Sequence, residues 1–498
     1  MRIGLVAPEA VPFSKTGGLA DVAGTLYREF LDRGMEVSLF VPLYRTTKER
    51  FGGELHDTGI DLDIPLGNAV RKCRVFVNRG SWAAGGGEAA GKAAGKGVVF
   101  FVGSDEYFDR DELYGTSRGD YPDNDQRFAF FCRSVLEICV RFDLSPDVLH
   151  CNDWQTGLIP LYLKTLYRDA PALRGALSVL TIHNLGYQGL FPPQTMIVTG
   201  LPHDLFSPDG VEFYGRVNFL KAGIVGADLI TTVSETYAQE ILQEEAGFGL
   251  DGILRKRRDS IVGIVNGIDY REWDPAADRQ LPQTFSREDP AGKQACKTAL
   301  LRRCALQGDE RTPLLCFIGR LSTQKGVDIL AEAIPEMILR GAVLVVIGRG
   351  DALYLAMMDS LAARFPRSFS FCSSFDEPLA HLAYAGSDLF LMPSQYEPCG
   401  LGQMISMRYG SLPVARKTGG LSDTVEDGTT GFLFTDSSAS ALVHAVQRAL
   451  AAYADGKAWK RMVRNAMGRD FSWEKSAKAY LALYRRERKA GGRPALRA

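Results

Sequence analysis

Two cations stand five residues apart in IGRLSTQKG (318–326), directly after a short apolar run. Arg320 offers a planar fork for phosphate oxygens and Lys325 a point charge, so both can reach one diphosphate. Such a pair could balance the charge that builds on a nucleoside-diphosphate leaving group without a metal. A solvated basic turn is the plainer account of the same spacing. PSQYEPCGLGQ (393–403) follows another apolar run. A carboxylate there, Glu397, can hold sugar or ribose hydroxyls; Gly400 opens the next helical pattern, and the amides of Cys399, Gly400 and Leu401 can face an anion. Cys399 reads as a small wall residue because no base adjoins it. A simple N-terminal helix charge also fits Glu397.

Two glycine turns echo each other. KTGGLADV (15–22) supplies Lys15, Gly17, Gly18 and Asp21; KTGGLSDTVEDG (417–428) supplies Thr418, Gly419 and Gly420. Glycines at a strand-to-helix turn let backbone amides approach a phosphate, and the first turn adds a mobile lysine. Neither matches a P-loop or a G-x-G-x-x-G, and each alone also fits an ordinary tight turn. HNLGYQG puts His183 and Asn184 at a strand end, and HCNDWQTG does the same for Asp153 and Trp154. Asp beside Trp suits a sugar, with hydroxyls on the carboxylate and a ring face against apolar C–H. Asn266, in VNGID, completes the polar set. No H-E-x-x-H, Cys/His cluster or EF-hand loop occurs, so no protein-ligated metal is expected.

These motifs need strands to position them. Apolar, β-branched runs recur at 3–7, 37–41, 98–102, 148–151, 179–182 and 229–233, then at 314–318, 343–347, 389–392 and 412–415, alternating with helical patterns. Strands apolar on both faces imply parallel sheets covered by helices. The series restarts near 314 after a polar stretch, 269–288. The expectation is an α/β chain of two doubly wound, Rossmann-like domains with a cleft between them, ligands lying beyond the carboxyl ends of the strands. The expected domains are 1–265, 266–472 and a terminal segment 473–498. The Gly/Ala-rich segment 83–97 reads as a surface loop. Ala477, Tyr480, Leu481 and Tyr484 give the last helix one apolar stripe.

Composition narrows the function classes. At 498 residues one compact core is too small an expectation, and 46% apolar with 23% charged residues is ordinary for a globular chain. Lys plus Arg (58) nearly balances Asp plus Glu (59), so no bulk basic field points to nucleic acid or anionic membrane. Nine cysteines without a C-x-x-C pair read as reduced, buried thiols. No apolar run reaches spanning length, and the first ten residues lack a signal h-region, so the expected location is the cytoplasm.

Taken together, KTGGLADV, HNLGYQG, VNGID, GRLSTQKG and EPCGL resemble the starch and glycogen synthases of bacteria and plastids, retaining glycosyltransferases of GT-B architecture. The resemblance covers residue 1 to about 485. It implies ADP-glucose as donor substrate, no further cofactor, and the non-reducing 4-hydroxyl of an α-1,4-glucan as acceptor. It places Lys15, Arg320 and Lys325 on the diphosphate and His183, Asn266, Glu397 and Asp153 around the transferred glucose. It puts an adenine-stacking ring at Phe375 and the acceptor near YPDN (121–124). Asn152 stands where some relatives carry His. The resemblance also implies a C-terminal helix that returns to the first domain. A UDP-glucose-dependent transferase and an inactive glucan-binding scaffold are the rival readings.

Overall fold

The computed structural model describes residues 1–79, 97–116, 118–374 and 376–490. The chain divides into two compact units. One comprises 1–233, 238–264 and 473–498; the other comprises 234–237 and 265–472.

In the first unit a nine-stranded sheet is built on β1 (Arg2–Val6), β2 (Glu36–Pro42), β3 (His56–Leu66), β4 (Ala69–Asn78), β5 (Gly97–Gly103), β6 (Val148–Asn152), β7 (Leu177–Ile182), β8 (Leu229–Thr232) and β9 (Ile261–Gly263). Their order is β9-β8-β7-β6-β1-β2-β5-β4-β3. From β9 to β5 every pairing is parallel, for instance Val6 beside Phe40 of β2 and Cys151 of β6. The central strands are buried on both faces, β6 and β7 at every position. That is why they read as continuous apolar runs.

The β3–β4 hairpin departs from the all-parallel expectation, pairing antiparallel to β5 at the sheet edge. Its strands alternate exposed and buried residues, with Leu62, Ile64 and Leu66 turned inward. Antiparallel pairing suits a strand solvated on one face, and the alternation leaves no continuous apolar run in its sequence. The 83–97 segment lies outside the described residues except for Gly97, which opens β5.

Two helices frame this sheet's functional edge. Helix α1 (Gly18–Asp32) starts with no side-chain cap, leaving its first amides for another acceptor. The last helix, α6 (Trp473–Lys489), buries Trp473, Ala477, Tyr480, Leu481 and Tyr484 in the same cluster as Tyr27 and Phe30 of α1. Tyr484 Oη meets His150 Nδ1 at 2.7 Å, and His150 Nε2 meets Thr181 Oγ1 at 2.5 Å. The helix is thereby tied to β6 and β7, the strands that carry Asp153 and His183.

The second unit holds a six-stranded, wholly parallel sheet of β10 (Leu314–Ile318), β11 (Val343–Ile347), β12 (Phe369–Cys372), β13 (Leu389–Met392), β14 (Leu412–Arg416) and β15 (Phe432–Phe434). The order is β12-β11-β10-β13-β14-β15. The crossover between β10 and β13 is the topological switch point of a doubly wound sheet, where loops diverge and leave a crevice. Helices α2 (Val327–Leu339), α3 (Ala352–Arg364), α4 (Gly402–Arg408) and α5 (Gly419–Thr424) follow individual strands. The motifs around Lys325, Glu397 and Gly419 occupy the carboxyl ends of β10, β13 and β14.

Candidate active site

In the second unit, the loops after β10 and β13 interlock. Lys325 Nζ donates to Glu397 Oε2 at 2.5 Å, and Ser394 Oγ donates to the same oxygen at 3.0 Å. The Glu397 side chain is 6% exposed and that of Lys325 26%, so the cation reaches solvent where the carboxylate does not. Residues assigned separately to diphosphate and to sugar thus form one charged pair. The backbone holds it closed: Gln395 N donates to Gln324 O at 2.8 Å. Gly326 has φ +67°, and a Cβ there would stand 2.0 Å from Pro393 O. Only glycine permits that approach.

Arg320 is exposed at the end of the same loop. Leu321 beside it is fully buried and donates its N–H to Arg349 O at 2.7 Å. Gly348 and Gly350 lie so close beneath this loop that a Cβ on either would come within 2.0 Å of Gly319 O or Leu321 O. The glycines of GRG (348–350) therefore seat Arg320. Their spacing after β11 was the available signal.

Thr418, Gly419 and Gly420 are buried against the Glu397–Cys399 loop, and this corrects the expectation of a second amide nest. Gly420 N donates to Glu397 O and Pro398 O at 3.1 and 3.2 Å, so the chain itself uses the amide expected to meet an anion. At Gly419, φ is +42° and a Cβ would lie 2.1 Å from Glu397 O. These residues fix the backbone of Glu397. Gln403, fully buried, completes the clamp by donating from Nε2 to Cys399 O, Gly400 O and Thr424 Oγ1. Gly400, at φ +75°, precedes Leu401 and the helix that starts at Gly402, so Gly400 turns the chain instead of opening the helix. Burial pushes the Cys399 thiol up to about 12, although a backbone hydrogen bond from Asn266 opposes the rise. A wall role suits it. Asn266 is 7% exposed and its Oδ1 is buried with no partner among the described residues, an acceptor suited to a hydroxyl. Phe375 lies outside the described residues.

In the first unit, Asp153 and His183 meet at the ends of β6 and β7. His183 N donates to Asp153 Oδ1 at 2.7 Å, and Asp153 N to Thr181 O at 2.9 Å. Asp153 adopts φ +57°, a left-handed conformation that a non-glycine residue holds only when its surroundings enforce it. Burial raises its carboxyl to about 7; the backbone amides of His183 and Asn184 act against this, and the Glu9 charge adds to it. Asn152 is 1% exposed, and its side chain is engaged inside the protein. Its amide nitrogen donates to Val6 O at 3.0 Å, and its Oδ1 lies 2.9 Å from His183 Nε2. That network places the His183 proton on Nε2 and leaves Nδ1 as an acceptor. Desolvation lowers His183 to about 3, so the imidazole is neutral at any working pH.

Trp154 departs from the expectation of a sugar platform. It is 8% exposed and enclosed by Phe128, Phe191 and Phe219, with no free face. Asn184 Oδ1 accepts from Gly186 N at 3.0 Å, closing the turn after β7. Lys15 Nζ donates to Asp21 Oδ1 at 2.7 Å, a half-exposed ion pair beside Gly17 and Gly18 at the start of α1. Glu9 is the residue the motifs did not single out. It is 3% exposed, follows the end of β1, and accepts at Oε2 from Thr16 N (2.5 Å) and Thr16 Oγ1 (2.8 Å).

A family model described as "Starch synthase catalytic domain" matches residues 2–256, and one described as "Glycosyl transferases group 1" matches 312–452. A glycogen synthase of Thermodesulfovibrio yellowstonii is 47% identical across 99% of this chain and 100% of its own length. One from Syntrophotalea carbinolica is 45% identical across 98% and 99%. The chain belongs to the starch and glycogen synthase family. Its fold agrees with that membership: the catalytic domain of starch synthase IV from Arabidopsis thaliana, solved bound to ADP and acarbose, superposes with a TM-score of 0.86 at 32% identity. The match covers 98% of this chain and 99% of that one. As a member of the starch and glycogen synthases the protein is a glycosyltransferase with the two Rossmann-like domains of the GT-B class. Among the described residues no helix is long and apolar enough to cross a membrane.

Proposed function

We propose that the chain transfers glucose from ADP-glucose to the non-reducing 4-hydroxyl of an α-1,4-glucan, with retention at the anomeric carbon. The observation that carries this reading is the Lys325–Glu397 pair, held at 2.5 Å on interlocked loops at the strand ends of the second unit. One partner suits a diphosphate oxygen and the other a sugar hydroxyl, so the two groups flank the bond that must break.

In the proposed reaction Arg320 and Lys325 take up the charge on the departing ADP as the bond from the anomeric carbon to phosphate oxygen breaks. Asn266 Oδ1, Glu397, Asp153 and neutral His183 are the proposed polar partners of the glucose hydroxyls. A two-step covalent route would need a carboxylate nucleophile beside the anomeric carbon, and no motif of the sequence supplies an unambiguous one. The proposed attack is therefore front-face: the acceptor 4-hydroxyl approaches from the leaving side, its proton passes to the departing phosphate oxygen, and the new bond joins that hydroxyl oxygen to the anomeric carbon. Trapping a covalent glucosyl adduct on Glu397 or Asp153 would overturn that step.

The substrate assignment is tested by competition. Purified protein is given glycogen with equal ADP-glucose and UDP-glucose, each carrying a different label. Preferential incorporation from ADP-glucose is expected. Equal or greater incorporation from UDP-glucose would overturn the donor, and no incorporation from either would revive the inactive scaffold.

A further inference from the structure

We propose that Glu9 is a donor-binding residue that acts as a hydrogen-bond donor: its Oε2 is saturated by Thr16, and its Oε1 presents a proton to an anionic oxygen bound at the Lys15–Gly18 turn. The inference rests on the proposed function, with the donor diphosphate taken to reach the Lys15–Gly18 turn.

The geometry settles which oxygen carries which task. Oε2 accepts both the N–H and the O–H of Thr16, and Glu9 makes no other hydrogen bond among the described residues. A proton on this carboxyl therefore sits on Oε1, since an oxygen already accepting twice is the poorer site for it. Oε1 borders open space. A Cβ built on Gly17 would meet nothing within 4 Å except Glu9 Oε1, at 4.0 Å. The uncapped amides of α1 begin in the same place. An anion there would meet amides, the Lys15 ammonium and either a carboxylate or a carboxylic acid. The first choice repels it and the second binds it.

The surroundings favour the acid. Burial raises Glu9 to about 7; the Thr16 bonds work against this, the Asp21 charge adds to it, and Lys15 opposes it. From the other elements Asp153, at the end of β6, and the Tyr44 and Tyr114 hydroxyls are coupled to it electrostatically. The buried guanidinium of Arg127 stands behind those tyrosines, bonded to Tyr107 O, Asn124 Oδ1 and Leu113 O. Both tyrosines stay neutral near pH 7, since burial raises them further. Burial thus raises both Glu9 and Asp153 toward neutrality, and an arriving anion beside Glu9 favours its protonated form further.

The test is calorimetric titration of the full chain with ADP-glucose, without acceptor, at pH 6 and pH 8. The donor has no ionisation of its own in that interval. A group titrating near 7 loses about tenfold of its acid form between these two values, so wild type should bind about tenfold more weakly at pH 8. The E9Q amide keeps an acceptor for Thr16 and an N–H where Oε1–H stood, without titrating. E9Q should bind somewhat more weakly than wild type at pH 6 yet nearly equally at both pH values. Asp153 is coupled to Glu9, so the same pair of titrations is repeated in the D153N background, where the wild-type and E9Q residues at position 9 are compared without it. A ratio of the wild-type and E9Q constants that does not change with pH would overturn the proposal and leave Glu9 as a brace for the turn. Because binding is read without turnover, an absence of glucosyl transfer by wild type would sink the proposed function separately, not this residue's role.

Discussion

Replacing Lys325 by alanine separates what holds the loops together from what speeds the reaction. In the free protein the substitution strips the ammonium from Glu397 Oε2 and leaves that 6% exposed carboxylate with Ser394 Oγ at 3.0 Å as its remaining hydrogen bond. Breaking a fully buried pair by deleting one partner costs about 3–5 kcal/mol; with Lys325 26% exposed, solvent screening reduces the expected loss to roughly 1–3 kcal/mol. The reaction should suffer differently. A preorganised cation aimed at leaving-group charge is worth on the order of 3 kcal/mol in the transition state, about a hundredfold in kcat. The assay is initial-rate glucan elongation at saturating ADP-glucose, with urea unfolding run on the same preparations. The double variant K325A/E397Q removes the stranded charge, so it should regain most of the stability and remain slow. A folded K325A enzyme within a few-fold of wild-type kcat would refute the leaving-group role, whatever its stability.

Proton linkage in the first unit gives a second prediction. His150 and His183, both lowered to about 3 by burial, stay neutral in the fold while the unfolded chain protonates them below about 6.5, so their contribution falls as pH drops through that window. Glu9 and Asp153, raised to about 7, contribute most below their unfolded values near 4 and lose that contribution as pH climbs to 7. The two slopes oppose each other between pH 4.5 and 6. D153N should therefore steepen acid destabilisation by one proton in that interval, read from urea midpoints at several pH values; an unchanged slope would contradict the assignment. Gly326→Ala should cost roughly 2–4 kcal/mol, from positive φ and the Pro393 clash together, and should weaken donor binding as the Lys325 loop shifts, checked by unfolding and calorimetry. Tyr484→Phe leaves His150 Nδ1 unbonded and should lower stability by about 1–3 kcal/mol with little change in donor affinity.

What could be read beforehand followed from burial. Strands such as 148–152 and 343–347 are enclosed on both faces, so their composition alone revealed parallel sheets and the loops at their ends. The β3–β4 hairpin escaped because half its residues face water, although the Gly67-Asn68 turn between two alternating runs was a usable signal. At the site, residue type identified Lys325 and Glu397 but not their pairing, which depends on Gly326 letting one loop lie against Pro393. Trp154 and the Gly419–Gly420 pair were misread for one reason. An aromatic ring or a glycine amide looks available in a motif, and only packing shows that Phe128 covers one and Glu397 O occupies the other. Glu9 left no motif at all. Its chemistry arises from enclosure beside Thr16 and Asp153, a product of tertiary structure.

The most direct measurement is the stoichiometry of a single reaction. Wild-type protein, ADP-glucose and a maltooligosaccharide are mixed, ADP release and chain extension are counted together, and the anomeric signal of the new linkage is read by proton NMR. One glucosyl unit added in α linkage for each ADP released is expected. ADP release without extension, or a β linkage, would contradict the proposed transfer.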